Sequence, residues 1–320
     1  MSSSHQQRLL VVSPVRNEAD HICRVAQAMA AQTRPPDAWV IVDDGSTDGT
    51  SEMLARLEQE IGFLIVISQP DAANSPVVKD RLATAAAPRA FNRGLQSVPW
   101  RTFTHISKLD GDTELPPRYF ELLLARFASD SRLGLAGGVR TEPTKTGWRL
   151  ESPPAEYHVP GALKCYSLPC FDAMGGIQER LGWDTIDEVY ARMRGYRTRT
   201  FSDLVAVHHR PWGSADGSLR GRARHGCCAY IVRYPLPWVL ARAPHAAQGA
   251  QPRTLSALCY VGGYVLSAVR RVPRVDDPEY CSFIRQELAA RVLRALGVRR
   301  AAARLRPAPV GGASPTDGQT

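Results

Sequence analysis

Five short apolar runs, RLLVVSPV (8–15), AWVIVDD (38–44), FLIVISQ (63–69), THISKLD (104–110) and LGLAGGVR (133–140), alternate with stretches of helical periodicity. In the latter, Ile22, Val25, Ala26 and Met29 recur at three- to four-residue spacing over 18–32. Met53, Leu54, Leu57 and Ile61 do so over 50–61, and Phe120, Leu123, Leu124 and Phe127 over 117–127. Runs apolar throughout suit strands covered on both faces by helices, and strand–helix alternation predicts an α/β fold with a mainly parallel sheet. Residues 70–90 read as a loop or short irregular helix, 141–160 as a second connection, and 306–320, rich in Pro, Gly and Ser, as a disordered tail.

Open α/β sheets bind ligands beyond the carboxyl ends of their strands, and this chain's acidic residues gather there. The second run ends in Asp43-Asp44 before the turn GSTDGT, and the first ends at Ser13-Pro14 before VRNEADH. Ser46, Thr47 and Asp48 suit a helix cap, which leaves the Asp43-Asp44 pair unexplained; carboxylates there accept hydrogen bonds from a base or a ribose. The fourth run ends in Asp110-Gly111-Asp112, a tight turn that aims two carboxylates at one point. Hard oxygen ligands on such a turn suit Mg²⁺ or Mn²⁺ shared with substrate phosphates.

Five segments, SPVRNEADH, VDDGSTDGT, KLDGDTELPPRYFELLLARF, CFDAMGGIQERLGWDTIDEVYARMRGYRT and VHHRPWGS, stand in the order found in family 2 glycosyltransferases, so that roughly residues 8–215 resemble that family. The resemblance implies a GT-A fold, a Rossmann-like mainly parallel sheet flanked by helices, with a C-terminal helical extension. It also implies an inverting transfer of sugar from a nucleotide-diphosphate donor. Pro14, Glu18 and Asp44 then line the nucleoside pocket with Asp43 beside them, Asp110 lies near the ribose or metal, and Asp112 is the main metal ligand. The domain is expected over 1–215, its donor half about 1–140 and its acceptor half about 141–215.

The family's acceptor-side helix opens with Glu-Asp, the Asp being the base. Counting back from Gly195-Tyr196-Arg197 places Asp184 there, with Trp183 where Glu is usual; a short shift would place Asp187-Glu188 instead. Residues 184, 187 and 188 share a helix face, so both Asp184 and Asp187 stand as candidates for the base. After the strand-like SDLVAV come His208 and His209, of which alternation sends one inward; His208 is taken as the third metal ligand. Gly175-Gly176 resemble acceptor-proximal glycines of the family and equally suit a helix C-cap.

The chain carries +9 overall, unevenly: residues 191–320 hold 21 Arg against 7 acidic residues. Such a basic segment attracts anions, whether phosphates or lipid headgroups; without a zinc finger, RRM-type motif or heptad-linked basic region, nucleic acid is not expected as a partner. Lys occurs only at 79, 108, 145 and 164 in a chain with 40 basic side chains, which reads as codon bias. Seven scattered Cys without a CxxC pair, and an N-terminus without signal-peptide features, predict reduced thiols and a cytoplasmic location. Residues 254–269 are apolar but, at about 24 Å as a helix, short of the roughly 30 Å bilayer core. Residues 281–300 set Phe283, Ile284, Leu288, Val292 and Leu296 on one face among five Arg, which fits either a helix lying on the inner membrane surface or one packed on the domain. The 216–305 segment is thus expected to be a basic helical extension with peripheral membrane contact, and the acceptor a glycan or lipid-linked glycan. A nucleotide-sugar-binding protein without catalysis is the alternative, made thinkable by Trp183; a nucleotidyltransferase is a lesser one, since SPVRNEADH lacks the Gly-rich turn it needs.

Overall fold

The computed structural model describes residues 7–68, 85–144, 147–151, 155–210, 218–246, 252–295 and 297–298. The chain divides into two compact units, Met1–Glu188 with Tyr196–Trp212, and Val189–Gly195 with Gly213–Thr320.

The first unit begins with the expected alternation: β1 (Leu9–Val15), α1 (Ile22–Ala30), β2 (Ala38–Asp43), α2 (Thr50–Glu60), β3 (Leu64–Ser68), α3 (Ala86–Gln96) and β4 (His105–Leu109). These strands pair in parallel, β3-β2-β1-β4, with Val12 opposite Val40 and Lys108. β1 and β2 are buried almost throughout because α1 and α2 bury Ile22, Val25, Ala26, Met29, Leu54 and Leu57 in the same core as Leu9, Val11, Trp39 and Ile41. Gly94 of α3 lets that helix lie flush on the other side, since a Cβ there would stand 2.7 Å from Val12 and Val42 methyls.

Beyond β4 the sheet is mixed. β5 (Thr113–Glu114) and α4 (Tyr119–Ser129) lead to β6 (Leu133–Thr144) and β7 (Gly147–Glu151), then to β8 (Leu163–Ser167) and α5 (Leu168–Ala173). The helix α6 (Trp183–Met193) precedes β9 (Arg197–His208). β8 runs antiparallel to both β4 and β6, β9 lies parallel to β6, and β5 pairs antiparallel with the end of β9, giving nine strands in the order β3-β2-β1-β4-β8-β6-β9-β5 with β7 beside β6. The sheet is therefore parallel where strand–helix alternation is regular and mixed where the chain doubles back. Of the two expected connections, 69–84 lies outside the described residues, 86–96 is the helix α3, and 147–151 is a strand.

The second unit holds α7 (Ser218–Ile231), α8 (Leu236–Ala246), α9 (Arg253–Val269) and α10 (Pro278–Ala295). α10 buries Phe283, Ile284 and Leu288, so of the two readings of 281–300 the packed helix is the one observed, and Leu296 lies outside the described residues. No helix among the described residues is long and apolar enough to cross a membrane.

Gly137 and Gly138 of β6 meet backbone rather than side chain: an added Cβ would lie 2.0 Å from the Leu163 and Leu204 carbonyl oxygens respectively. Neither neighbour can yield without moving a strand. Gly138→Ala is expected to lower the unfolding free energy by about 3 kcal/mol, read as a lower midpoint in urea, whereas the same change at Gly62, which has open space around it, should cost far less.

Candidate active site

The loops after β1 and β2 are laced together side by side. Asn17, left-handed at φ 54°, donates its N–H to Ser46 Oγ (3.0 Å) and accepts from the Thr47 N–H (2.8 Å). Asp48 accepts from the N–H groups of Thr50 and Ala19, and Thr50 Oγ1 accepts from the Glu18 N–H at 2.9 Å. The adjacent acids do different work. Asp43 is buried and its two oxygens accept from the Ser46 N–H and the Ser51 hydroxyl, so it ties the turn to α2. Asp44 is half-buried on the loop, its N–H donating to Val15 O and its own carbonyl accepting from Arg16. Pro14 sits beside it, half-buried.

Asp110, Asp112 and His208 converge: their ligand atoms all lie within 4.8 Å of one another. β5 makes this possible by pairing Thr113 with His208, and the His209 N–H donates to the Asp112 carbonyl at 3.0 Å. His208 Nδ1 lies 2.6 Å from the Arg210 carbonyl, which can only accept, so Nδ1 carries the proton. With Nδ1 as the donor, Nε2, 3.4 Å from Asp112 Oδ1, is the ring nitrogen left to ligate a metal. Two carboxylates and one imidazole make a donor set suited to Mg²⁺ or Mn²⁺. The ring of His209 turns elsewhere, onto Glu114 (2.9 Å) and the stacked ring of His21.

Glu18 joins the two loops to this group. Burial first, and the charge of Asp112 next, push its carboxyl up to about 8, against the pull of Arg210, whose guanidinium lies 3.0 Å away. Gly111 must be small, because a Cβ there would reach 2.7 Å from a Val15 methyl and 3.4 Å from Glu18 Cγ. The path from Asp44 through Val15 to the Asp110–Asp112 turn is thus continuous packing.

On the other flank, Lys108 pairs with Asp110 and donates to the Gly161 carbonyl at 2.9 Å. Gly161 in turn packs against the start of α6, where a Cβ would meet Asp184 Cβ at 3.4 Å and the Trp183 ring at 3.5 Å. The ammonium groups of Lys108 and Lys164 lie 5.2 and 5.5 Å from the centroid of that ring. Asp184 is half-buried within this arrangement. Asp187, the other candidate base, is sealed in: it accepts twice from Lys164 (2.7 and 2.9 Å) and once from Tyr166 Oη (2.6 Å). Glu188 is equally buried, accepting from the Val159 N–H and pairing with His158. Of the three acids on one helix face, 187 and 188 are enclosed where α6 presses onto Lys164 of β8, while Asp184 stays half-buried.

Gly175 and Gly176, at φ +77° and +76°, end α5, and their N–H groups donate to the Asp172 and Phe171 carbonyls. They line a pocket of 310 Å³ with Trp100 and Arg101 that none of the acidic site residues enters, so the C-cap reading is the one observed. Sequence reasoning missed Lys108, Lys164, Arg210 and His158. The signal for the first two was present: they are two of only four lysines in an arginine-rich chain, and both are buried.

Residues 10–164 match the family model described as Glycosyl transferase family 2. A succinoglycan biosynthesis protein, ExoA of Rhizobium meliloti (strain 1021), is 34% identical over 79 residues; the match covers 24% of this chain and 24% of that protein, so the chain aligns with about a quarter of its relative. Among solved structures, a mannosyltransferase from Pyrobaculum calidifontis in complex with GDP-Man and Mn²⁺ superposes with TM-score 0.53 at 16% identity, over 95% of this chain and 86% of that one. Residues 1–349 of S. aureus TarS in complex with UDP-GlcNAc give 0.54 at 13% identity, over 93% and 91%. The fold is that of the GT-A glycosyltransferases.

Lys164 is the cation shared by two buried carboxylates. Burial alone would lower its pKa, but Asp187 and Glu188 outweigh this and hold it charged. Lys164→Met should cost about 3–5 kcal/mol of stability in urea unfolding, since one partner of a buried pair is left alone. For His158, burial likewise works downward, yet Glu188 raises the pKa above 6.5. A raised histidine stabilises below its unfolded pKa and loses that contribution as pH climbs through the folded value. The unfolding midpoint should therefore fall as pH rises above about 6.5, and His158→Gln should flatten that slope.

Proposed function

We propose that this chain is an inverting glycosyltransferase that moves a sugar from a nucleotide-diphosphate donor to a hydroxyl of a glycan or lipid-linked glycan. The observation that supports it most is the convergence of Asp110, Asp112 and His208 on one point beside the loops of β1 and β2. These three side chains would hold Mg²⁺ or Mn²⁺. When bound, the ion neutralises negative charge on the departing diphosphate. Pro14, Glu18 and Asp44 form the wall for the nucleoside, with Asp44 placed to accept from a base or ribose, and Asp43 fixes the turn that carries it. Lys108 holds Asp110 in place through their ion pair.

Asp184 takes the proton of the attacking hydroxyl. It is the one of the two candidate bases whose carboxylate is not enclosed, and its backbone is fixed by Lys164, which donates to its carbonyl at 2.5 Å. A single displacement assisted by one base inverts the anomeric centre. Asp187, paired with Lys164, secures the helix on which Asp184 stands. The succinoglycan relative and the nucleotide sugars bound by the two structural relatives agree with a role in polysaccharide assembly. The basic second unit suits an acceptor held at the inner membrane surface.

Donor hydrolysis or transfer should require added Mn²⁺, cease with EDTA and return when metal is restored. Asp112→Ala should abolish metal-dependent donor binding in a thermal-shift titration. Asp184→Asn should retain donor binding and lose about 10²–10⁴-fold in kcat; full activity in that variant would remove Asp184 from the reaction, and full activity in both would leave the chain without the chemistry proposed.

A further inference from the structure

The helix α9 carries its larger aliphatic residues on its exposed side. A surface helix ordinarily buries its apolar stripe and shows its polar residues. α9 buries Tyr260 together with Ser256 and Ser267, and turns Leu255, Leu258, Val265, Leu266 and Val269 outward, with relative exposures of 42, 68, 45, 48 and 74%. These positions, with exposed Gly262 between them, recur at spacings of three and four and so form one stripe.

Beside Tyr260, which packs with Ala229, Val239 and Ala243, the inward side brings small residues into backbone contact. A Cβ on Gly263 would stand 1.9 Å from the Ala223 carbonyl oxygen of α7, and one on Gly226 of α7 would stand 1.9 Å from that of Tyr260. Close approach through small residues, with large aliphatic ones facing out, is how helices associate when their surroundings are hydrocarbon.

Charge identifies the surroundings further. From 217 to 275 the sequence has nine Arg and no Asp or Glu. Arg253 is exposed at one end of α9, and Arg270, Arg271 and Arg274 are exposed at or just beyond the other, while no charged residue interrupts the stripe. On the preceding helix α8, Leu236 and Leu240 are exposed as well.

From the stripe, its glycine-packed back and its arginine ends, we propose that α9 lies in the interface of an anionic bilayer, Leu258 and Val269 among the acyl chains and Arg253, Arg270, Arg271 and Arg274 on the lipid phosphates. The helix does not span: its 17 residues fall short of the hydrocarbon thickness. This deepens the membrane contact proposed above by assigning it to α9, and it stands or falls separately from the transfer chemistry.

The test is flotation of the full chain with phosphatidylcholine vesicles, with and without about 30 mol% phosphatidylglycerol. The wild type should float with the anionic vesicles, and the double variant Leu258→Glu with Val269→Glu should bind at least about tenfold more weakly. Arg270→Glu with Arg271→Glu should lose binding to the anionic vesicles and with it the sensitivity to salt. Both variants should keep the wild-type rate of metal-dependent donor hydrolysis, which separates loss of the membrane site from loss of the active site. Flotation unchanged in the glutamate variant overturns the proposal. So does a wild type that ignores vesicles and sediments as a dimer that Leu258→Glu with Val269→Glu dissociates, for then the stripe is covered by a second copy.

Discussion

The first unit depends on neutralising carboxylates that it has drawn together and partly removed from water. Glu18, Asp112, Asp187 and Glu188 are all buried, and Asp110 and Asp184 lie beside them half-buried. Isolated ionised groups in such surroundings are costly and survive only when paired. On the acceptor flank Lys164 and His158 provide the partners, and on the donor flank Lys108 and Arg210 do. The donor flank is compensated less completely. Glu18 there is driven upward by burial and by Asp112, and Asp112 has the His208 ring as its neighbour at 3.4 Å instead of a permanent cation. In the proposed function, a divalent ion between Asp110, Asp112 and His208 would supply the positive charge that this flank lacks beside Asp112.

The choice of lysine over arginine follows from shape. This chain uses arginine almost everywhere, yet the two described lysines are both enclosed. An ammonium is compact and directs its donors in three directions. Lys164 needs this, reaching both oxygens of Asp187, the Asp184 carbonyl and Glu188 at 3.5 Å. Lys108 needs it too, with Asp110 on one side and the Gly161 carbonyl on another. A planar guanidinium forks in one plane and would displace Trp183, which packs close to both ammonium groups. Arginine bias in composition therefore concealed a positional signal.

How much of this was legible in the sequence can be traced element by element. β1 to β4 are visible as apolar runs because helices cover them on both faces, and residues 43, 44, 110, 112, 184 and 208 stand at or near the ends of the elements, where carboxylates and imidazole are unusual enough to notice. β8 was not legible. Its sequence LKCYS places a lysine in mid-strand, which local pattern reads as a solvent-facing position, and only long-range contact with Asp187 buries it. For the same reason Asp187 and Asp184 looked equivalent: helical spacing says that they share a face, not which neighbour that face meets. β6 and β9 were seen only in part, since each runs for 12 residues through a register shift that breaks alternation.

The same limit, that composition gives a segment's hydropathy but not its direction, governs the second unit. Residues 254–269 and 281–300 both read as apolar helices in a basic setting, and hydropathy alone favours neither for contact with lipid. What separates them is the placement of the smallest residues. In α10, Phe283, Ile284 and Leu288 are themselves the buried side, as in any helix that packs in water. In α9, Gly263 and two serines share that side with Tyr260, which packs with Ala229 of α7, while the larger aliphatic residues of the helix face away. Close backbone packing of this kind gains its stability from van der Waals contact, and the outer aliphatic stripe is what the proposed bilayer contact would cover.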